Sequence, residues 1–179
     1  MGSSYLITGG ARSGKSRYAL KLAETAKHPY YIATGWAGDE EMSSRIARHK
    51  KERGPHWSTI ETRTGLAEAI RRAESEGADM IIADCLTLWV SNLLCEERTE
   101  KDFEEALSDL ERLIPTLSAT IVFVSNEVGC GIVPGDPMSR RFRDWAGFTN
   151  QRIAAAASNV IMAVSGLPLA LKSASQTAL

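Results

Sequence analysis

The chain lacks an excess of charge of either sign. Its 21 Lys and Arg stand against 22 Asp and Glu, for a net charge of −1. That balance argues against a protein that coats nucleic acid or lies on a membrane surface. Cysteine is scarce, and Cys85, Cys95 and Cys130 are an odd number without metal-ligand spacing. Cys85 and Cys130 fall in or beside expected buried strands, so they read as small core residues, not as a disulfide framework. No apolar run approaches the roughly 18 residues of a membrane span, and no secretory pattern opens the chain, so a cytoplasmic location is expected. Internal repeats, low-complexity segments and linkers long enough to divide two domains are also lacking. With 179 residues, 44% of them hydrophobic, the expectation is one domain over residues 1–179 with a sizeable core. The guanine-specificity motif N-K-x-D is missing as well, since Asn126-Glu127 does not supply it. That weighs against a GTP-dependent regulatory switch.

What the chain does contain is G-x-x-x-x-G-K-[ST], as Gly9-Gly10-Ala11-Arg12-Ser13-Gly14-Lys15-Ser16. Tyr5–Thr8 before it reads as a buried strand, and the residues from Ser16 onward read as a helix. A strand, a glycine turn and a helix start gather successive backbone N–H groups around an anionic hole, with the helix dipole directed into it. Lys15 would reach the β- and γ-phosphates of a nucleoside triphosphate, and the Ser16 hydroxyl would hold Mg²⁺ or a similar divalent cation.

Strand-like and helical runs alternate along the chain. Tyr5–Thr8, Tyr30–Thr34, Met80–Asp84, Thr120–Ser125 and Val160–Val164 are apolar or β-branched without strict alternation. Such runs suit a mostly parallel sheet with helices on both faces, an α/β fold of the P-loop NTPase kind. Helical patterns are expected over Ser16–Lys27, Asp39–Arg53, Thr64–Glu76, Lys101–Leu113 and Ser139–Ala157. His56–Thr62 resembles a short extra strand, and Gly129–Pro137 is a glycine- and proline-rich loop. Ligands in open α/β folds gather at the carboxyl ends of strands, so that loop, Thr34-Gly35-Trp36 and the stretch after Asp84 should share a crevice with the phosphate loop.

Asp84 ends an apolar strand, where it could bind Mg²⁺ directly or through water. The nearby Leu86, Leu88, Trp89, Leu93 and Leu94 read as core or subunit contact. In the basic segment Arg45–Arg53, the residues Met42, Ile46, His49 and Arg53 share one helix face. A packed histidine and a solvated basic face account for that spacing. So does an imidazole among cations that attacks or contacts a phosphate. Arg140, Arg141, Arg143, Asp144 and Arg152 fit either a charged outer face or a contact with an anionic substrate or neighbouring subunit.

Several segments together resemble the bifunctional adenosylcobinamide kinase and adenosylcobinamide-phosphate guanylyltransferase family of cobalamin synthesis. They are ITGGARSGKSR, YIAT, RIARHKKERGPHW, DCLTLWVSNLL, the block from SNEVG to NQRIAAAA, and GLPLALK, running from Tyr5 to Lys172. The resemblance implies phosphorylation of adenosylcobinamide by ATP or GTP, followed by transfer of GMP from GTP onto the new phosphate with release of pyrophosphate. It implies that His49 carries GMP covalently. It further implies nucleotide contacts from Gly9–Ser16, from Thr34, Gly35 and Trp36, from Lys50, Lys51, Glu52 and Arg53, from Glu61 or Thr62, and from Asp84. A homotrimer is implied too, in which DCLTLWVSNLL would gain a partner surface. A simple P-loop kinase of a small metabolite is the alternative.

Overall fold

The computed structural model describes residues 2–35 and 53–174. The apolar runs form β1 (Ser4–Thr8), β2 (Pro29–Ala33), β4 (Met80–Asp84), β5 (Thr120–Val124) and β6 (Asn159–Val164), joined by β3 (Ser58–Glu61) and β7 (Leu167–Lys172). The helices are α1 (Lys15–Leu22), α2 (Leu66–Ser75), α3 (Leu86–Cys95), α4 (Glu100–Leu113) and α5 (Pro137–Ala156). The strands make one seven-stranded sheet in the order β3-β2-β4-β5-β1-β6-β7. All neighbours are parallel except β6 and β7. The sheet is therefore mostly parallel, as the unbroken apolar runs require. The expected extra strand is β3, at the sheet edge, whereas the expected helix Asp39–Arg53 lies outside the described residues but for Arg53.

Successive side chains of each strand go to opposite faces. Leu6, Ile32, Ile81, Ala83, Ile121 and Phe123 pack on one face with residues of α2 to α5. Ile7, Tyr31, Met80, Ile82, Val122 and Val124 pack on the other with Ala19 and Ala23, from α1 and its end. On the first face Phe103 stacks on Trp145 with ring centroids 4.3 Å apart and planes within 6°, and Trp89 lies 6.5 Å from Phe103. Helix ends are capped locally. Thr99 and Asp102 form a reciprocal capping box on α4, and Asp136 accepts from Ser139 N on α5. No helix among the described residues is long and apolar enough to cross a membrane.

Two expectations are corrected, and one strand is added. Of the two readings of DCLTLWVSNLL, core holds over partner surface: beyond Asp84 and Cys85 the run lies in α3, whose Leu86, Trp89, Val90, Leu93 and Leu94 are buried in this chain's own core. Its apolar residues run around much of the helix, which is why no one-sided helical period marks it. Cys130 is exposed, because β5 ends at Val124 and the chain leaves the sheet before reaching it. A seventh strand, β7, returns antiparallel on β6 through the Ser165-Gly166 turn, both of positive φ. Lys172 at its end donates to the carbonyls of Ala154, Ala155 and Ala157, closing the carboxyl end of α5.

Candidate active site

The phosphate loop bridges β1 and α1. Gly9 and Gly14 take φ of 144° and 100°, conformations that favour glycine. A Cβ on Gly9 would also lie 2.3 Å from the carbonyl oxygen of Ala163. Lys15 is buried, and its Nζ donates to Gly9 O (2.9 Å), Gly10 O (2.6 Å) and Ser13 Oγ (3.4 Å). The ammonium thus sits within the loop that would hold phosphates. The β6–β7 turn braces this loop, with Gly166 N donating to Ser13 O at 2.9 Å. That tie joins residues 153 positions apart in sequence and carried no sequence signal.

β5 lies between β1 and β4, yet the two ends meet. Ser16 Oγ donates to Asp84 Oδ2 at 3.3 Å, and Tyr31 Oη donates to the same oxygen at 2.6 Å. Burial, with the Asp84 carboxylate beside it, pushes the Tyr31 phenol far up, so it stays a proton donor at every ordinary pH. Over the Tyr31 ring lies Arg53, its guanidinium carbon 3.4 Å from the ring centroid. Burial lowers the Arg53 pKa from that of a free guanidinium, and its Nη1 is buried with no hydrogen-bond partner among the described residues. A buried guanidinium donor left unpaired costs free energy, and an anion at that point would remove the cost. Ser16, Tyr31, Arg53, Trp57 and Asp84 line one cavity of about 950 Å³ along the α1 face.

The chain matches the family model described as cobinamide kinase / cobinamide phosphate guanyltransferase over residues 5–171. The chain belongs to this family. Curated relatives agree along almost their whole length. The bifunctional adenosylcobalamin biosynthesis protein CobP of Pseudomonas aeruginosa is 46% identical over 93% of this chain and 96% of its own. The proteins of that description called CobU are 40% identical in Escherichia coli and 42% in Salmonella typhimurium, each over 93% of this chain and 98% of its own. The fold is also that of a KaiC-like protein of Pyrococcus horikoshii, with TM-score 0.53, 15% identity, and coverage of 89% of this chain and 70% of the other. The P4 protein of bacteriophage phi6, in complex with ADP, matches with TM-score 0.50 and 13% identity over 93% of this chain and 54% of its own.

Within this family member, the structure gathers Gly9–Ser16, Asp84 and Arg53 at the carboxyl end of the sheet. Thr34 is also there but fully buried. Its hydroxyl donates to Cys85 O and accepts from Cys85 N, both at 2.8 Å, clamping the end of β2 to β4. Asn92 reinforces that clamp by donating to Thr34 O at 2.8 Å. Glu61 is exposed and set apart, at the end of the edge strand β3. His49, Trp36, Lys50, Lys51 and Glu52 lie outside the described residues. Tyr31 is the site residue that sequence reasoning missed; it resembled any other aromatic in an apolar strand. The arginines of α5 divide. Arg152 pairs with Glu104 and Glu111 of α4, while Arg140 donates to Pro134 O and Gly135 O and holds the loop before α5.

Ser16 and Asp84 fit a divalent cation by their chemistry. They present two adjacent oxygens, of a kind that would leave most of a Mg²⁺ shell to water and phosphate. No group of three or more His, Cys, Asp or Glu side chains that could hold a metal occurs among the described residues.

Proposed function

We infer that this chain carries out both reactions of its family in one domain over residues 1–179. It phosphorylates adenosylcobinamide with ATP or GTP, then transfers GMP from GTP to adenosylcobinamide phosphate, forming adenosyl-GDP-cobinamide and pyrophosphate. The observation that carries this reading is the meeting on one cavity of the phosphate loop, through Gly14 and Ser16, with Asp84 and with Arg53, whose Nη1 has no hydrogen-bond partner among the described residues, in a chain with bifunctional relatives. Lys15 and the N–H groups at the start of α1 neutralise the triphosphate, and Arg53 supplies a further buried cation. A divalent cation held by Ser16 and Asp84 supplies charge neutralisation when bound. Trp36, Gly35, Lys50, Lys51 and Glu52 serve the nucleoside end or the phosphates, while Glu61 lies too far along the sheet for the β- and γ-phosphates and serves the nucleoside end; Thr34, fully buried, supports the strand end from beneath.

In the second reaction the His49 imidazole attacks the α-phosphorus of GTP, and the bond to the pyrophosphate oxygen breaks. A phosphate oxygen of the cobinamide then displaces histidine and takes the GMP. The protein works as a homotrimer in the cytoplasm. Incubation with α-labelled GTP tests the reading: label should remain on the denatured protein, acid-labile and alkali-stable as a phosphoramidate is. His49→Ala should abolish label and guanylyl transfer while retaining kinase turnover. Label on that variant would remove His49 from the mechanism.

A further inference from the structure

The kinase reaction needs a group to take the proton of the attacking hydroxyl, and the residues described above leave that role unfilled. Among the described residues, three carboxylates stand at the carboxyl ends of the parallel strands: Glu61, Asp84 and Glu127. Strands lie about 4.8 Å apart, so Glu61 on β3 is four strand spacings, roughly 19 Å, from β1 and its phosphate loop. Asp84 accepts from Ser16 and Tyr31 through Oδ2 and is the carboxylate assigned above to the divalent cation, so it is committed to another role. Glu127 follows β5, the immediate neighbour of β1. Its backbone N donates at 3.0 Å to Gly9 O, the oxygen that also accepts from Lys15 Nζ at 2.9 Å. One carbonyl of the phosphate loop therefore tethers both the ammonium that meets the terminal phosphates and the backbone of this glutamate. Glu127 is half-buried as a residue, and Oε1 accepts from Gly129 N at 2.7 Å, which orients the carboxylate. Oε2 has no hydrogen bond among the described residues and remains able to accept a proton.

We propose that Glu127 is the general base of the kinase reaction, a role that rests on the activity inferred above. Its carboxylate takes the proton of the cobinamide hydroxyl as that oxygen bonds to the γ-phosphorus. The bond from γ-phosphorus to the β,γ-bridging oxygen breaks, the nucleoside diphosphate leaves, and the neutral carboxyl returns its proton to solvent. Guanylyl transfer does not need this base, because its acceptor is a phosphate monoester already ionised at neutral pH.

That difference makes the proposal testable. Gln at 127 keeps the shape and the acceptor for Gly129 N while removing the basic oxygen. Glu127→Gln should lower kinase kcat about 10²- to 10⁴-fold, with the KM for GTP within about threefold of the unaltered protein's. It should still guanylylate adenosylcobinamide phosphate prepared with the unaltered protein. Glu127→Asp, which keeps a carboxylate, should retain more kinase turnover than Glu127→Gln. A Gln variant as active in the kinase assay as the Asp variant would overturn the proposal, and so would equal loss of both reactions. Failure of the unaltered protein to phosphorylate adenosylcobinamide at all would instead sink the functional reading on which the proposal rests.

Discussion

Lys15 and Asp84 do different work at the carboxyl end of the sheet, and substitution separates them. Lys15 is a buried cation whose Nζ donates to Gly9 O, Gly10 O and Ser13 Oγ of its own loop. Lys15→Ala removes a charge that both reactions need, so each should slow by on the order of 10²- to 10³-fold. Parallel assays of the two steps check this, and intact guanylyl transfer would require a second nucleotide site. Asp84 accepts from Ser16 and Tyr31 through one oxygen. Asp84→Asn preserves that shape and removes the charge, so turnover should fall and recover in part as Mg²⁺ is raised. Rescue by GTP and not by Mg²⁺ would place Asp84 on the nucleotide and not on the cation.

Helices α4 and α5 meet through two contacts of different physics. Phe103 is fully buried between Trp89 and Trp145, and its loss leaves a cavity between stacked rings. Phe103→Ala should cost about 3–5 kcal/mol in urea unfolding. The second contact pairs Arg152 with Glu111, and hydrogen bonding to that guanidinium holds the Glu111 carboxyl below its ordinary range. A carboxylate depressed in the folded state adds stability above its unfolded pKa of about 4.3 and loses it as pH falls through the folded value. Glu111→Gln should therefore lower the urea midpoint at pH 7 and flatten its decline at acid pH. Parallel acid limbs in variant and parent would remove this pair from the pH dependence.

The assembled chain should run in light scattering at three times the mass of one chain. Ile132, Val133, Phe148, Leu167 and Leu169 are large apolar side chains left exposed on the single chain, and a trimer could cover some of them. A mass of one chain at micromolar concentration would refute the trimer. Much of the molecule was legible in advance. Glycines at 9 and 14 before Lys15 imply an anion-binding turn, because few other residues adopt those dihedrals. Apolar runs imply a sheet covered on both faces. The spacing of Phe103, Leu107 and Leu110 in the sequence matches the buried stripe of α4, whereas α3, apolar nearly all round, carries no period to read.

Local chemistry is therefore what the sequence by itself determined: the phosphate loop, the parallel sheet, the strand-ending Asp84 and the family. The first three depend on residues within single turns or strands, where spacing dictates backbone geometry, and the family on six segments that together run over most of the chain. The tertiary structure decided which distant groups meet. The strand order puts β5 between β1 and β4 and still lets Ser16 touch Asp84 across 68 positions. It stacks Arg53 on Tyr31, turns α3 into core, and seats the Gly166 turn against the phosphate loop. Such pairings follow from how strands are ordered and how faces are covered, and a linear pattern holds no record of either.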